Sequence, residues 1–154
     1  MKNTLKLVLG LMVILGLHSC SPKVLPYSAE VNFLYKEAQG TIAVKSTGYG
    51  KKQLQAVEDA KKNAFKVLMF KGIPGTELNV PLIENEGEAR SKNSDYLNKF
   101  FNEGYYKTFV MSATESSNLI KIKRTKKITV DIKINYNSLR KDLEQNQLIR
   151  KFGY

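Results

Sequence analysis

The only histidine and the only cysteine of the chain, His18 and Cys20, lie two positions apart. Such a pair could begin a metal site, because imidazole and thiolate both bind zinc, or the thiol could act in redox or nucleophilic chemistry. A structural zinc site needs four ligands of this kind, and no further His or Cys completes the set. The residues that precede the pair favour a different role.

Those preceding residues have the pattern of an export signal. Lys2 and Lys6 lead into an uninterrupted apolar block that covers positions 7–17. A charged start followed by a short apolar block is typical of a secretory signal peptide. As a helix the block would reach only about 16 Å, roughly half the thickness of a bilayer's hydrocarbon core, so a permanent membrane span is disfavoured.

The residues Leu17-His18-Ser19-Cys20 resemble the lipobox of bacterial lipoproteins, with Leu17 at −3, Ser19 at −1 and Cys20 as the first mature residue. His18 departs from the small residue usual at −2, and a plain secretory peptide cleaved elsewhere is the alternative. The resemblance implies that residues 1–19 are removed and that Cys20 is acylated on its thiol and its amine. Two or more acyl chains give stable anchoring. Ser21, rather than Asp, is compatible with transfer to the outer membrane.

Cleavage before Cys20 would remove much of the reactive chemistry. Loss of 19 residues from 154 leaves 135, with no histidine and no free thiol. Zinc sites, disulfides, cysteine nucleophiles and Ser-His-Asp triads then lack their components. Loss of Lys2 and Lys6 lowers the formal charge from +11 to +9, which is still strongly basic. We therefore expect no enzyme activity, no cofactor and no metal, and, for an exported protein, no nucleic-acid partner.

The clearest structural pattern lies between positions 40 and 75. Alternating β-branched residues predict a strand near 41–48, and apolar spacing predicts a helix near 51–71 that ends at Gly72. Two rows share this helical spacing: Leu54, Val57, Ala64 and Leu68, and the small residues Ala56, Ala60 and Ala64, which would allow close approach to a sheet. Gly48-x-Gly50 lacks the third glycine of a dinucleotide-binding fingerprint, so we interpret it as a turn.

The stretch "VKSTGYG" and the following "AVEDAKKNAFKVLMFKGIPG" resemble the twenty-kilodalton outer-membrane lipoprotein family and the related N-terminal domain of a flagellar-assembly envelope protein. The later stretches "YLNKFFNEGYYKTFV" and "ITVDIKINYNSLRKDL" extend this resemblance over about residues 40–145. It implies a strand and a long helix, followed by a second helix, a further strand and a last strand. The resemblance rests on patterning and not on catalytic motifs.

The patterns of the remaining segments predict the same order of elements. Ser94 can cap a helix, Tyr105 to Ala113 is aromatic and β-branched, and residues 128–136 alternate strictly between apolar and polar. Asn137 or Ser138 can cap a final helix. We therefore predict one α+β domain over 28–148 with a small, mainly antiparallel sheet, with strands near 41–48, 105–113 and 127–136 and helices near 51–71, 94–103 and 138–148 packed on one face.

The ends of the domain are less regular. Pro22 and Pro26 make residues 20–27 a short extended tether. Ser28 can cap a helix that ends at Gly40, although the alternation of Val31, Phe33 and Tyr35 would also fit a strand. Residues 149–154 form a basic tail that we expect to fray.

A dense group of cations precedes the last strand: Lys121, Lys123, Arg124, Lys126 and Lys127. These candidate anion-binding residues could grip phosphates of lipid headgroups or an acidic partner surface. Alternatively, they are lysines that protect an edge strand from aggregation. Either one long bent strand over 119–136 or a hairpin that turns near Arg124 fits the pattern.

Three acids at alternate positions, Glu84, Glu86 and Glu88, could coordinate calcium or form an acid–base pair. Calcium loops usually mix Asp and Asn around a defined turn, so we interpret this segment as a solvated surface loop.

Together these observations predict a non-enzymatic, membrane-anchored lipoprotein of the cell envelope that acts by interaction with an envelope protein. The Ser21 context favours the outer membrane. The role of this lipoprotein would lie in assembly, scaffolding or accessory binding. The alternative is a polyanion-binding module for lipopolysaccharide or anionic lipid that uses residues 121–127.

Overall fold

The computed structural model describes residues 30–150. The predicted signal peptide, the predicted cleavage site between Ser19 and Cys20, the predicted tether and residues 151–154 lie outside the described residues, as does Ser28. The elements follow the order β1 (Val31–Lys36), a 3-10 turn (Ala38–Gly40), β2 (Thr41–Gly50), α1 (Gln53–Phe70), α2 (Glu86–Lys92), α3 (Ser94–Phe101), a 3-10 turn (Tyr105–Phe109), β3 (Val110–Glu115), β4 (Ile120–Ile122), β5 (Thr125–Asn135) and α4 (Tyr136–Gln145).

The strands form one antiparallel sheet in the order β1-β2-β5-β3, and β4 also pairs with β5. The predicted α+β class, with a small antiparallel sheet, is confirmed. Strand β5 lies in the middle, since β2 pairs along its whole length on one side and β3 and β4 follow one another on the other side. Within residues 30–150, no helix is both long and apolar enough to cross a membrane.

One face of the sheet is packed against helix α1. Ile128, Val130, Ile132 and Ile134 of β5 are fully buried, whereas the residues between them are partly exposed. The strict alternation of the sequence thus corresponds to one covered and one open face. Ile42 and Val44 of β2 pair with Ile134 and Ile132 and continue the same buried layer.

Helix α1 approaches the sheet through its row of small residues. Ala56, Ala60 and Ala64 are fully buried, and a Cβ placed on Gly48 would lie 2.1 Å from the carbonyl oxygen of Ala56 and 2.2 Å from the backbone nitrogen of Ala60. Gly48 therefore serves close packing and not a phosphate loop. Leu54, predicted to belong to an inward row, is instead 78% exposed, because α1 turns its alanines rather than Leu54 toward β2.

Aromatic rings fill the space between α1, α3 and the turn that follows α3. Phe100 lies at their centre, with ring centroids 5.6 Å from Phe65, 4.9 Å from Phe101 and 5.9 Å from Phe109. Two tyrosines on its rim direct their hydroxyls to Asp142 of α4, Tyr96 at 2.5 Å and Tyr105 at 2.9 Å. These bonds join α4 to the rest of the core.

Several predicted boundaries were wrong. Residues 31–36 form a strand, the alternative reading, and not a helix, because Val31 and Phe33 pack on the core while β1 pairs with β2. Residues 105–109 form a 3-10 turn, so β3 begins only at Val110. The bulky Tyr106 and Phe109 are buried by that turn rather than by strand pairing.

The caps and the end of the last helix also differ from prediction. The Asn135 side chain, not Asn137 or Ser138, caps α4 by accepting a bond from the Ser138 amide at 3.0 Å. Ser94 is the first residue of α3 and makes no capping bond to its amides. Ile149, assigned to the tail, packs partly buried against the core.

Candidate functional site

The cation-rich segment forms a β-hairpin at one end of the sheet. Strands β4 and β5 pair from Ile120↔Lys127 to Ile122↔Thr125, and Lys123 adopts a positive φ of 54° in the turn. Of the two alternatives left open by the sequence, the structure therefore has the hairpin. Lys121 lies directly opposite Lys126, and both stand on the same face of the hairpin.

The loop between β2 and α1 brings two more lysines to the same end. Gly50 pairs with Lys126, so that Lys51 and Lys52, which follow Gly50, begin beside the hairpin. The oxygen of the Gln55 side chain accepts bonds from both of their amides, at 3.1 and 3.2 Å, and fixes this loop. We call the combined set the basic apex: Lys51, Lys52, Lys121, Lys123, Arg124, Lys126 and Lys127.

Lys51 and Lys52 were not predicted from the sequence as members of this site. They precede Lys121 by about seventy residues, and only the register of β2 on β5 brings them together. The sequence does show two lysines directly after a predicted strand. That pattern indicates a basic site only once the strand paired with it, β5, is known.

The apex is poor in acidic partners. Within residues 30–150 its one ion pair joins Lys127 to Glu30, with 3.5 Å between Nζ and the carboxylate. The Lys127 ammonium also lies 5.9 Å from the centre of the Tyr49 ring. Glu115 lies at the margin of this end, and both of its oxygens accept from the Gln53 side chain at 2.9 Å. Most of the apex charge is therefore open to an outside anion.

Protection of an edge strand explains only part of this group. Lys121 does lie on β4, an edge of the sheet, where lysine discourages pairing with another chain. Lys126 and Lys127 lie on β5, which is flanked by β2 on one side and β4 on the other, and have no edge to protect. Lys51 and Lys52 lie outside any strand.

Large apolar side chains accompany the charges. Leu54, in the first turn of α1, is 78% exposed, Ile120 is 52% exposed and Ile122 is 44% exposed. Ile120 and Ile122 share the open face of the sheet with Lys127, whereas Leu54 lies on the helix side. The apex thus combines a positive surface with apolar groups on both sides.

The chain enters the domain at this same end. The Glu30 carbonyl accepts a bond from the Thr47 amide at 3.1 Å, and Val31 pairs with Ser46, near the end of β2. Because β1 runs antiparallel to β2, Glu30 lies at the apex end of the sheet, whereas Lys36 lies toward the opposite end.

The acidic segment does not gather a binding site. Glu86 and Glu88, expected in a loop, begin helix α2, because the Asn85 side chain caps it by accepting from the Glu88 amide at 3.0 Å. Each acid pairs with a cation four residues later, Glu86 with Arg90 and Glu88 with Lys92, both at 2.7 Å. Glu84 is exposed. Among residues 30–150 no group of three or more His, Cys, Asp or Glu is placed to hold a metal ion.

Among the carboxylates of residues 30–150, Glu58 alone has a strongly shifted pKa, and its contacts are structural. Partial burial alone would raise the pKa of Glu58, but hydrogen bonds from Tyr106, Lys61 and Lys107 outweigh it and lower the pKa to about 2. The Tyr106 hydroxyl donates at 2.6 Å from a ring with no exposed surface. Burial and this bond raise the pKa of Tyr106. Both groups are thus held in one protonation state across the neutral range.

A shallow groove of about 460 Å³ runs along the first two turns of α1, between Tyr49, Leu54 and Asp59. Asp59 is already committed there, since it accepts from the Tyr49 amide at 2.9 Å and from the Asn63 side chain at 3.1 Å. The groove therefore offers contact area beside the apex and no free acid–base group.

Comparison with protein-family models, curated proteins and solved structures found no match.

Proposed function

We propose that the chain is a non-enzymatic lipoprotein of the cell envelope, tethered through an acylated Cys20, whose folded domain acts by interaction in assembly, scaffolding or accessory binding. The outer membrane is the proposed location, and an envelope protein is the proposed partner. The sequence from Lys2 to Cys20 supports the tether. The observation that carries the interaction is the basic apex, whose charges and exposed apolar side chains have few partners within the domain.

The tether is tested in cells by Cys20→Ser. We expect this variant to lose incorporation of labelled palmitate and to be released from the membrane fraction, because the thiol that accepts the diacylglyceryl group is absent. Ser21→Ala is the matched control, since it changes the neighbouring residue, keeps the thiol and should leave labelling intact. Labelling retained by Cys20→Ser would overturn the assignment.

The interaction is tested by crosslinking whole cells and isolating the protein with its partners. An envelope protein should be recovered with the wild-type chain and be reduced when the apex lysines are changed to Gln. Equal recovery with the substituted apex would show that the partner uses another surface.

A second candidate function is binding of a polyanion, lipopolysaccharide or anionic lipid, through Lys121, Lys123, Arg124, Lys126 and Lys127. It is favoured by the scarcity of acids around the hairpin, where only Lys127 is ion-paired among the described residues. The acylated chain in nonionic detergent should bind immobilised lipopolysaccharide at low salt and release it as salt rises. Binding that persists when all five residues are changed to Gln would exclude this function.

A further inference from the structure

We infer that the basic apex rests on the anionic phospholipid headgroups of the membrane that holds Cys20, so that tether and apex together fix the orientation of the domain. This inference rests on the proposed acylation of Cys20. It adds an orientation, a partner surface and two residues, Lys51 and Lys52, to the proposed function.

The first support is where the chain enters. Glu30 lies beside Thr47 and Lys127, at the apex end of the sheet. Nine residues lie between Cys20 and Glu30, and the ten steps along the chain place an acylated Cys20 within about 35 Å of Glu30. The tether thus limits how far the apex end can lie from the bilayer, whereas the opposite end, where Lys36 meets Glu77, can lie further away by the length of the sheet.

The second support is charge. Among the described residues, seven cations and the paired acid Glu30 lie at this end, and the acids at its margin, Glu115 and Asp59, accept hydrogen bonds within the domain. An anionic bilayer surface attracts basic side chains that lie within a Debye length of it, and the tether keeps the apex within such reach. Attraction that is too weak to recruit a free protein is sufficient to orient one that is already anchored.

The third support is the set of apolar side chains at the apex. Ile120 and Ile122 on the open sheet face and Leu54 on the helix side flank the cations. Apolar groups next to lysines suit the boundary between headgroups and acyl chains, where lysine stems can extend toward phosphate.

Fluorescence quenching tests this orientation in the acylated full chain. Acylation blocks the one native thiol, so Ile122→Cys or Val80→Cys each supplies a single site for an environment-sensitive dye. Val80 is 67% exposed and lies in the loop after α1, near Glu77 and Lys36 and away from the apex. The chain is reconstituted into vesicles of phosphatidylcholine with or without an equal part of phosphatidylglycerol, each carrying nitroxide-labelled headgroups.

On the phosphatidylglycerol vesicles, we expect the dye at 122 to be quenched at low salt and its quenching to be lost at high salt. The dye at 80 should remain unquenched at low and at high salt. In phosphatidylcholine alone the chain should stay bound through its anchor while quenching at 122 falls. Equal quenching at 122 and 80, or quenching at 122 that is independent of phosphatidylglycerol, would overturn the inference. A chain that fails to float with either vesicle would instead contradict the acyl anchor itself.

Charge is tested with two matched triple variants. One variant changes Lys51, Lys121 and Lys126 to Gln. The other changes Lys71, Lys99 and Lys141, which lie outside the sheet, so both lose three positive charges. The apex variant should shift the equilibrium between apposed and free orientations on the order of 100-fold toward the free one. The control should keep the wild-type quenching. An equal loss in both variants would point to net charge rather than the apex. The salt titration of the wild-type chain tests, without any substitution, whether the attraction to the bilayer is electrostatic.

Discussion

The basic apex and the body of the domain use positive charge in different ways. In the body, seven cations form ion pairs of 2.6 to 3.8 Å: Lys36, Lys45, Lys61, Arg90, Lys92, Lys107 and Lys133. At the apex, Lys127 alone has an ion pair among the described residues. Within residues 30–150, ion pairs are therefore less frequent among the cations of the apex than among those of the body.

This difference extends to the uncharged side chains. The body buries its aromatic rings around Phe100 and closes its polar groups in pairs such as Tyr106 with Glu58. The apex leaves Leu54, Ile120 and Ile122 exposed. Contacts in the body serve folding, whereas the apex keeps groups that gain little from folding and remain available for an outside surface. Substitutions should separate the two regions by which measurement they change.

The largest effect is expected from Phe100→Ala in the body. The Phe100 ring has no exposed surface and touches rings from α1, from its own helix and from the 3-10 turn. Its removal should lower the free energy of unfolding by about 4 kcal/mol, because a cavity remains at the centre of the cluster. Urea unfolding measures this loss. A loss below about 1 kcal/mol would mean that the aromatic cluster is not the centre of the core.

Gly48→Ala should cost about 3 kcal/mol or prevent folding. The added Cβ would lie within 2.2 Å of backbone atoms of Ala56 and Ala60, which cannot move without separating α1 from β2. Gly87→Ala is the matched control, since its nearest atom is 3.5 Å away and alanine favours the helix α2. In thermal melts, Gly48→Ala should have a lower melting temperature than the wild type and Gly87→Ala a higher one. A wild-type melt for Gly48→Ala would contradict the close contact.

The pH dependence of stability should report Glu58. Its pKa falls from 4.5 to about 2 on folding, so its contribution is present above pH 4.5 and is lost as pH falls toward 2. The side chain is 35% exposed, so after discounting for solvent screening we expect about 1 kcal/mol. Unfolding free energies measured from pH 6 to 2 should change less steeply in Glu58→Gln than in the wild type. An identical slope would rule out this carboxylate as a source.

The fold could be predicted from sequence where one pattern dominated. Alternation over residues 128–134 and the alanine row of α1 each specified a buried face, and both faces are buried as expected. The segment Tyr105–Phe109 was wrongly predicted as part of a strand, because aromatic residues are found in strands and in buried turns alike. Residues 31–36 were ambiguous for a related reason, since a short segment fits both periods and only pairing with β2 decides between them.

The candidate site was predicted only in part. Five of its cations are neighbours in sequence and were recognised, but Lys51 and Lys52 join them through the register of β2 on β5. Local patterns carry no information about such register. Leu54 was assigned inward because it shares helical spacing with Val57 and Leu68, yet the contact of α1 with Gly48 rotates it outward.

The smallest expected change in the free energy of unfolding is that of Lys121→Glu, and its sign is opposite to that of Phe100→Ala and Gly48→Ala. Lys121 lies directly across from Lys126, and like charges in this position are destabilising. Lys121→Glu should therefore raise the free energy of unfolding by about 0.5 kcal/mol at low salt, and the gain should shrink at high salt. Lys71→Glu, outside the sheet, is the control and should gain less.

The same Lys121→Glu chain should lose quenching at position 122 on phosphatidylglycerol vesicles. A more stable domain that binds the anionic surface less well is the outcome expected if these lysines are kept for the membrane and not for the fold, whereas a destabilised variant would assign Lys121 to the fold.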